Sequence, residues 1–233
     1  MINSSEIGEG TAIGDFSVIA EGARLGRGCI IHPSVVINAG VNLGDRVEVF
    51  PGAVLGREPR GAGATARQPS FERSLQIGDD SSIGPHAIIY YDVKIGKNCL
   101  IGDGASIRED SVIGDRCLIG RYVTINYSSR IGNRTKIMDL SHITGKTQIG
   151  DDVFISVLVA TTNDNALGAD GYNDEQIRGP WIADHAMIGC GAKLLPGVEV
   201  GRNAIVGAGT VVTRDVPGGK VVMGIPGRIV RDA

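Results

Sequence analysis

His142 is the side chain in this sequence best placed by type to move a proton near neutral pH. A neutral imidazole can take the proton that an attacking amine or hydroxyl must shed, and a neighbouring carboxylate can fix its tautomer. Polar residues recur around it at a fixed interval. Ser106, Thr124 and His142 are spaced by eighteen residues, as are Arg108 and Asn126, and Glu109 and Tyr127; two further steps from Tyr127 reach Asn163, next to Asp164. Arg108, Glu109, Asn126, Tyr127, Asn163 and Asp164 therefore form the expected substrate-binding set around a catalytic His142.

The interval of eighteen comes from a shorter period. Isoleucine recurs every six residues without a gap from Ile77 to Ile155, and four residues after each comes a small side chain, such as Ser81, Ala87, Val93 and Cys99. An α-helix needs a period near 3.6 and an open strand a period of 2, so neither explains this spacing. Six-residue repeats of a large apolar, two turn residues and a small residue mark a parallel β-helix with one hexad per face and three per turn. The period starts at Ile7, runs to Leu55, resumes from Ile77 to Thr161 and again from Ile182 to Val212. These runs predict an all-β prism of about ten coils, one domain over 1–216. Two loops, at about 57–74 and 162–180, protrude from it, and a tail at 217–233 packs on the last coils.

Face arithmetic divides the prism unevenly. The residue after the core isoleucine is Gly78, Gly96, Gly114, Gly132 and Gly150 on the first face, and Gly84, Gly102, Gly120, Met138 and Ser156 on the second. On the third face it is Tyr90, Arg108, Asn126, Thr144 and Thr162. Both loops leave from the corner that follows this third face, five coils apart. The third face is thus expected to carry function. A bland alternative stands beside it: parallel β-helices commonly bury a face against another copy, and polar residues there could be interface contacts alone.

Composition excludes several classes. With a net charge of −3 and no Lys/Arg run longer than two, a nucleic-acid surface is not expected. Apolar runs are too short to span a membrane, and the start MINSSEIGEGTAIG lacks the charged and apolar regions of a secretory signal, so a cytoplasmic location is expected. The four cysteines show no metal spacing; Cys99 and Cys117 fall one coil apart, and reduced buried thiols are the expectation. His32, His86 and His185 read as turn residues, and metal dependence is not expected. In the first loop Arg57, Arg60, Arg67 and Arg73 suit either a phosphorylated ligand or a solvated surface. Trp181 suits either a lid over a ligand or packing of the second loop.

The segment MIGCGAKLLPGVEVGRNAIVGAGTVVTRDVPGGKVVMGIPGRIVR resembles the C-terminal coils of hexapeptide acyltransferases that use acetyl-CoA. The match runs through G-A-G-x-V-V-T-[KR]-D-[VI]-P and V-x-x-G-x-P-x-[KR]-[IV]. The resemblance implies a left-handed β-helix, a homotrimer with active sites between subunits, and acetyl-CoA as co-substrate. It places cofactor contacts on Cys190, Ala208, Thr213, Arg214, Arg228 and Arg231. Two departures narrow it. The galactoside-type enzymes have a catalytic His where this chain has about Ala166, in a stretch more similar to the T-N-x-x-N of nucleotide-amino-sugar N-acetyltransferases. MDLSHITGKTQIG is similar to the catalytic segment of UDP-N-acetylglucosamine acyltransferases, with His142 at its first His and Gly145 at the usual base. Together these imply an acetyl-CoA-dependent acetyltransferase acting on the amino group of a nucleotide-linked sugar. A different acceptor hydroxyl, a longer acyl donor, or a non-catalytic trimeric scaffold are the alternatives.

Overall fold

The computed structural model describes residues 6–63, 67–169 and 171–233. The chain winds into a left-handed parallel β-helix of ten full coils, and each face is a parallel sheet whose successive strands are one coil apart. Strands are mostly two residues long, such as His142–Ile143 and Phe154–Ile155, because the pattern turns every six residues. Partners sit eighteen residues apart, so Ile107 pairs with Ile125 and Ile125 with Ile143. The core is this stack: Ile83, Ile89, Ile107, Ile119, Ile137, Ile143 and Ile155 are fully buried. Burying each such side chain contributes roughly 1.5–3 kcal/mol against the cost of ordering it.

The small inward positions include buried hydroxyls, and coil carbonyls satisfy them. Thr135 Oγ1 donates to the Gly150 carbonyl at 2.8 Å and Ser141 Oγ to that of Ser156 at 2.9 Å. Cys99 and Cys117 are free thiols that donate to the Gly114 and Gly132 carbonyls. The adjacent Cys99 thiol and burial push the Cys117 thiol up, which suits packing and not nucleophilic chemistry.

Glycine after the core residue has a reason other than backbone freedom. A Cβ on Gly96 would lie 2.7 Å from the carbonyl carbon of Gly114 in the next coil. The same space is crossed by an aspartate: Asp115 Oδ1 accepts the Lys97 amide at 2.8 Å. The ladder continues as Asp115 N to Asn133, Asn133 N to Asp151 and Asp151 N to Asp184, and Arg121 N to Asp139 repeats it one corner on.

Both long loops leave the third face, after the strands Val54–Arg57 and Ala160–Thr161. The tail does not leave the prism at Val212. Val216 bridges in parallel to Val200, and the strand Lys220–Met223 pairs in parallel with Ile205–Val206, so an incomplete eleventh coil is laid down. Arg228–Asp232 then reverses and pairs antiparallel with Lys220–Met223.

The exposed ladder carboxylates set an acid limit. Lys97 holds Asp79 below the usual carboxylate range, as Arg121 does Asp139 and Arg134 does Asp152. A folded-state pKa below the unfolded value of about 3.9 gives stability that is present above that pH and lost as pH falls through the folded values. The melting temperature should therefore drop between about pH 4 and pH 2. Asp139→Asn should flatten that drop; an identical acid profile in the variant would count against the ladder.

Candidate functional site

On the third face Ser106, Thr124, His142, Ala160 and Lys193 stand in one register file, and Arg108 and Asn126 in the next. His142 is half-buried, and burial pushes its imidazole below the ordinary histidine range, so it is neutral at pH 7. Its Nδ1 is 2.7 Å from Thr124 Oγ1. When Nδ1–H donates to that hydroxyl, Nε2 carries the free lone pair, and Nε2 has no partner among the described residues. The Asn126 side-chain amide is equally unengaged among them.

The carboxylate partner expected for His142 is not Asp164. Asp164 accepts the Ala166 amide at 2.8 Å and the Gly168 amide at 2.6 Å, and so shapes its own loop. Asn163 Nδ2 donates to the Gly145 carbonyl at 3.2 Å, pinning the loop root to the face. Glu109 also differs from expectation. It is fully enclosed, with Arg67 Nη1 at 2.6 Å and Arg108 Nε and Nη2 at 3.0 Å. An unpaired buried carboxylate would be expensive, and two guanidiniums remove that cost. Glu109 therefore orients Arg67 and Arg108 and does not face a ligand.

Tyr127 is where the two loops meet. Arg67, from the first loop, stacks its guanidinium 3.7 Å from the Tyr127 ring centroid. From the second loop Tyr172 reaches the same place: burial, then Asp174 and the Tyr127 hydroxyl, push its phenol up. Tyr172 donates to Asp174 at 2.6 Å, and Lys146 holds Asp174 at 2.8 Å. Beneath the ring lies Gly145, where an added Cβ would sit 2.7 Å from Tyr127 Cζ. The position of the usual base in the resembled O-acyltransferases is thus covered by tyrosine. The first loop has further anchors in Phe71 stacked on Tyr91 and in Arg73 paired with Glu58. Trp181 stands apart, on the first face opposite Gln148 and Glu199, so it covers nothing on the third.

At the C-terminal end, Thr213, Arg214 and Arg228 line one cleft of about 310 Å³ with Val216, Val222 and Ile229. The tail is tied across the third face there, with Val211 N donating to Gly224 O and Gly227 N to Val211 O. Cys190 and Ala208 lie one coil apart at the preceding corner, both exposed, with Gly209 N bonded to Cys190 O. Arg231 is outside the cleft, on the antiparallel strand opposite Val221. Among the described residues no three His, Cys, Asp or Glu side chains group as a metal site, and no helix is long and apolar enough to cross a membrane.

The family model for bacterial transferase hexapeptide repeats matches residues 4–39, 74–109, 92–127 and 179–214, together more than half of the chain. The chain belongs to the bacterial transferase hexapeptide family. Over 53 residues it is 47% identical to a serine acetyltransferase of Synechococcus elongatus, covering 23% of this chain and 22% of that protein. Over 52 residues it is 50% identical to a 2,3,4,5-tetrahydropyridine-2,6-dicarboxylate N-acetyltransferase of Staphylococcus aureus, covering 22% of each. The chain spans less than a third of the length of these curated relatives. An Arabidopsis UDP-N-acetylglucosamine acyltransferase matches the whole chain and 74% of its own, with a TM-score of 0.59 at 17% identity, which shows a shared fold.

Gly145→Ala tests the convergence at Tyr127. The added methyl should displace the ring, and both loops should become easier to cut in limited proteolysis while the melting temperature of the prism changes little. Unaltered cleavage of both loops would mean that Tyr127 does not tie them.

Proposed function

We propose that the chain is an acetyl-CoA-dependent acetyltransferase that acylates the amino group of a nucleotide-linked sugar. The observation that carries this reading is a neutral, half-buried His142 with a free Nε2 on the polar third face, the face on which the two loops meet at Tyr127. The acceptor nitrogen attacks the thioester carbonyl carbon, the carbon–sulfur bond breaks, and CoA leaves as the thiolate. His142 takes the proton that nitrogen sheds and returns it to the sulfur. Asn126 offers an amide for the sugar. Because a thioester already has a good leaving group, positioning and one proton route supply most of the chemistry. Tyr127 over Gly145 favours an amine acceptor: a hydroxyl needs a stronger base than an amine that binds unprotonated.

Acetyl-CoA is assigned to the C-terminal end. Arg214 and Arg228, with Thr213, face its phosphates from one cleft, while Cys190 and Ala208 offer backbone to the pantetheine arm. His142→Ala should lower kcat about a hundred- to ten-thousandfold with CoA affinity kept. Arg214→Ala should weaken CoA about ten- to a hundredfold, since a charge-assisted hydrogen bond contributes roughly 1.5–3 kcal/mol. The acid limb of kcat should lie below the ordinary histidine pKa of about 6.5, because the base form is favoured by burial. If His142→Ala keeps both kinetic constants within about threefold, direct attack by a bound free amine replaces the base. A mass-spectrometric screen of acceptors with acetyl-CoA tests the reaction itself.

The same reading includes a homotrimer. Tyr122, Leu140 and Leu158 stack along the corner after the second face, all more than half exposed and all in the left-handed region at φ of 55°, 61° and 60°. Bulky residues are rare there, so an exposed row of them suits a surface that a second copy covers. Beside it an apolar groove of about 560 Å³ includes Phe50, Leu100, Leu118 and Met138. Sedimentation should give a trimer, and Leu140→Arg should shift it toward monomer; a monomeric wild type at micromolar concentration would remove this part.

A further inference from the structure

Arg57, Tyr90 and Arg108 make a second charged feature on the third face, away from both His142 and the C-terminal cleft. Arg57 ends the strand of the third coil, Tyr90 lies in the fourth and Arg108 in the fifth. Arg57 Nη1 donates to the Tyr90 hydroxyl at 2.6 Å, and its guanidinium carbon is 4.8 Å from the ring centroid. The Arg108 guanidinium is 5.6 Å from the same ring. Arg108 gives Nε and Nη2 to Glu109, which leaves Nη1 without a partner among the described residues. Arg57 likewise keeps Nε and Nη2 unengaged among them. Arg67 and Arg108 share the one enclosed Glu109 carboxylate, and Arg57 pairs with no carboxylate among the described residues, a local excess of positive charge on a chain whose net charge is −3.

This arrangement is built and not a loose surface cluster. The Glu109 carboxylate fixes the Arg108 plane, and the Tyr90 hydroxyl and ring fix that of Arg57. Forks held in place lose little freedom when they bind an anion, and guanidinium donors match phosphate oxygens two at a time. The position also matters. Coils lie about 4.8 Å apart, so Arg108 and Tyr90 are about 10–14 Å along the face from the His142 coil. That separation suits one sugar ring followed by a diphosphate.

Resting on the acetyltransferase reading, we propose that Arg57 and Arg108, braced on Tyr90, bind the phosphates of the acceptor. Its amino sugar then lies toward His142, and its acetyl donor enters from the opposite end. The specificity that follows is for a phosphate-bearing acceptor over the free amino sugar.

Inorganic pyrophosphate, titrated by calorimetry into the full chain with and without saturating CoA, reads this site independently of turnover. CoA blocks the C-terminal cleft, so binding that survives it belongs elsewhere. Arg57→Ala should weaken that binding about ten- to a hundredfold, Arg57→Lys should recover part of it, and CoA affinity should not change. Tyr90→Phe, which removes only the brace, should fall between wild type and Arg57→Ala. No pyrophosphate binding to the wild type, or equal affinity in Arg57→Ala, overturns the proposal. Equal turnover of a free amino sugar and its nucleotide-linked form overturns it too, while leaving acetyl transfer standing. Loss of CoA binding by the wild type would instead sink the acetyltransferase reading and leave the pyrophosphate result to stand by itself.

Discussion

At the glycines that follow the core residues of the first two faces, the coils of this prism approach so closely that a side chain has no room. A Cβ on Gly78 would meet the carbonyl carbon of Gly96 at 2.7 Å, and one on Gly102 that of Gly120 at the same distance. Parallel hydrogen bonding sets this spacing, and the core isoleucines accept it because each stacks on its own kind. The aspartate ladders then take up the remaining room at two corners, tying backbone amides to carboxylates from coil to coil. Two faces are therefore committed to holding the structure together. The third instead keeps Tyr90, Arg108, Asn126 and Thr144 where the first keeps glycine throughout these coils and the second keeps it at Gly84, Gly102 and Gly120.

A face of this kind is rigid but flat, and a flat surface neither excludes water nor selects a ligand. The loops supply relief at modest cost, since closing a longer loop adds only slowly to the entropy lost. Both are held by groups of the prism: the Glu109 and Tyr127 side chains hold the first, the Lys146 side chain and the Gly145 carbonyl the second. The scaffold thus fixes the rotamers of the polar residues, and the loops define the space above them.

The architecture was legible because the period is enforced at every coil: each isoleucine missing from its place would leave a cavity or a slipped register. The file of Ser106, Thr124 and His142 was legible for the same reason. What carries no period was not. Arg67 lies 42 residues before Glu109, and nothing in the spacing says that a loop brings them together. Glu109 occupies an outward column by count, yet the corner turns its side chain into an enclosed site. Asp164 satisfies amides two and four residues on, a local competition that draws it from the imidazole it neighbours in the count. Thr124, the actual neighbour of His142, sat in the right file without being singled out. The tail carries no hexad signal because Pro217 and two glycines break the period, yet Val221 and Val222 are buried and Lys220–Met223 adds a strand to the second face.

The reversed strand Arg228–Asp232 bears on how such molecules behave at high concentration. A solenoid that stops on a parallel strand exposes a row of amides and carbonyls in the pattern its own first coil could continue, and stacking of molecules end to end would follow. Here the last strand of the second face runs the other way and carries Arg228, Arg231 and the Lys220–Asp232 pair. Its hydrogen-bonding groups are spaced for an antiparallel neighbour, and its charges must be desolvated before any strand can dock. The terminal turnaround is thus a brake on fibre growth at that end of the prism.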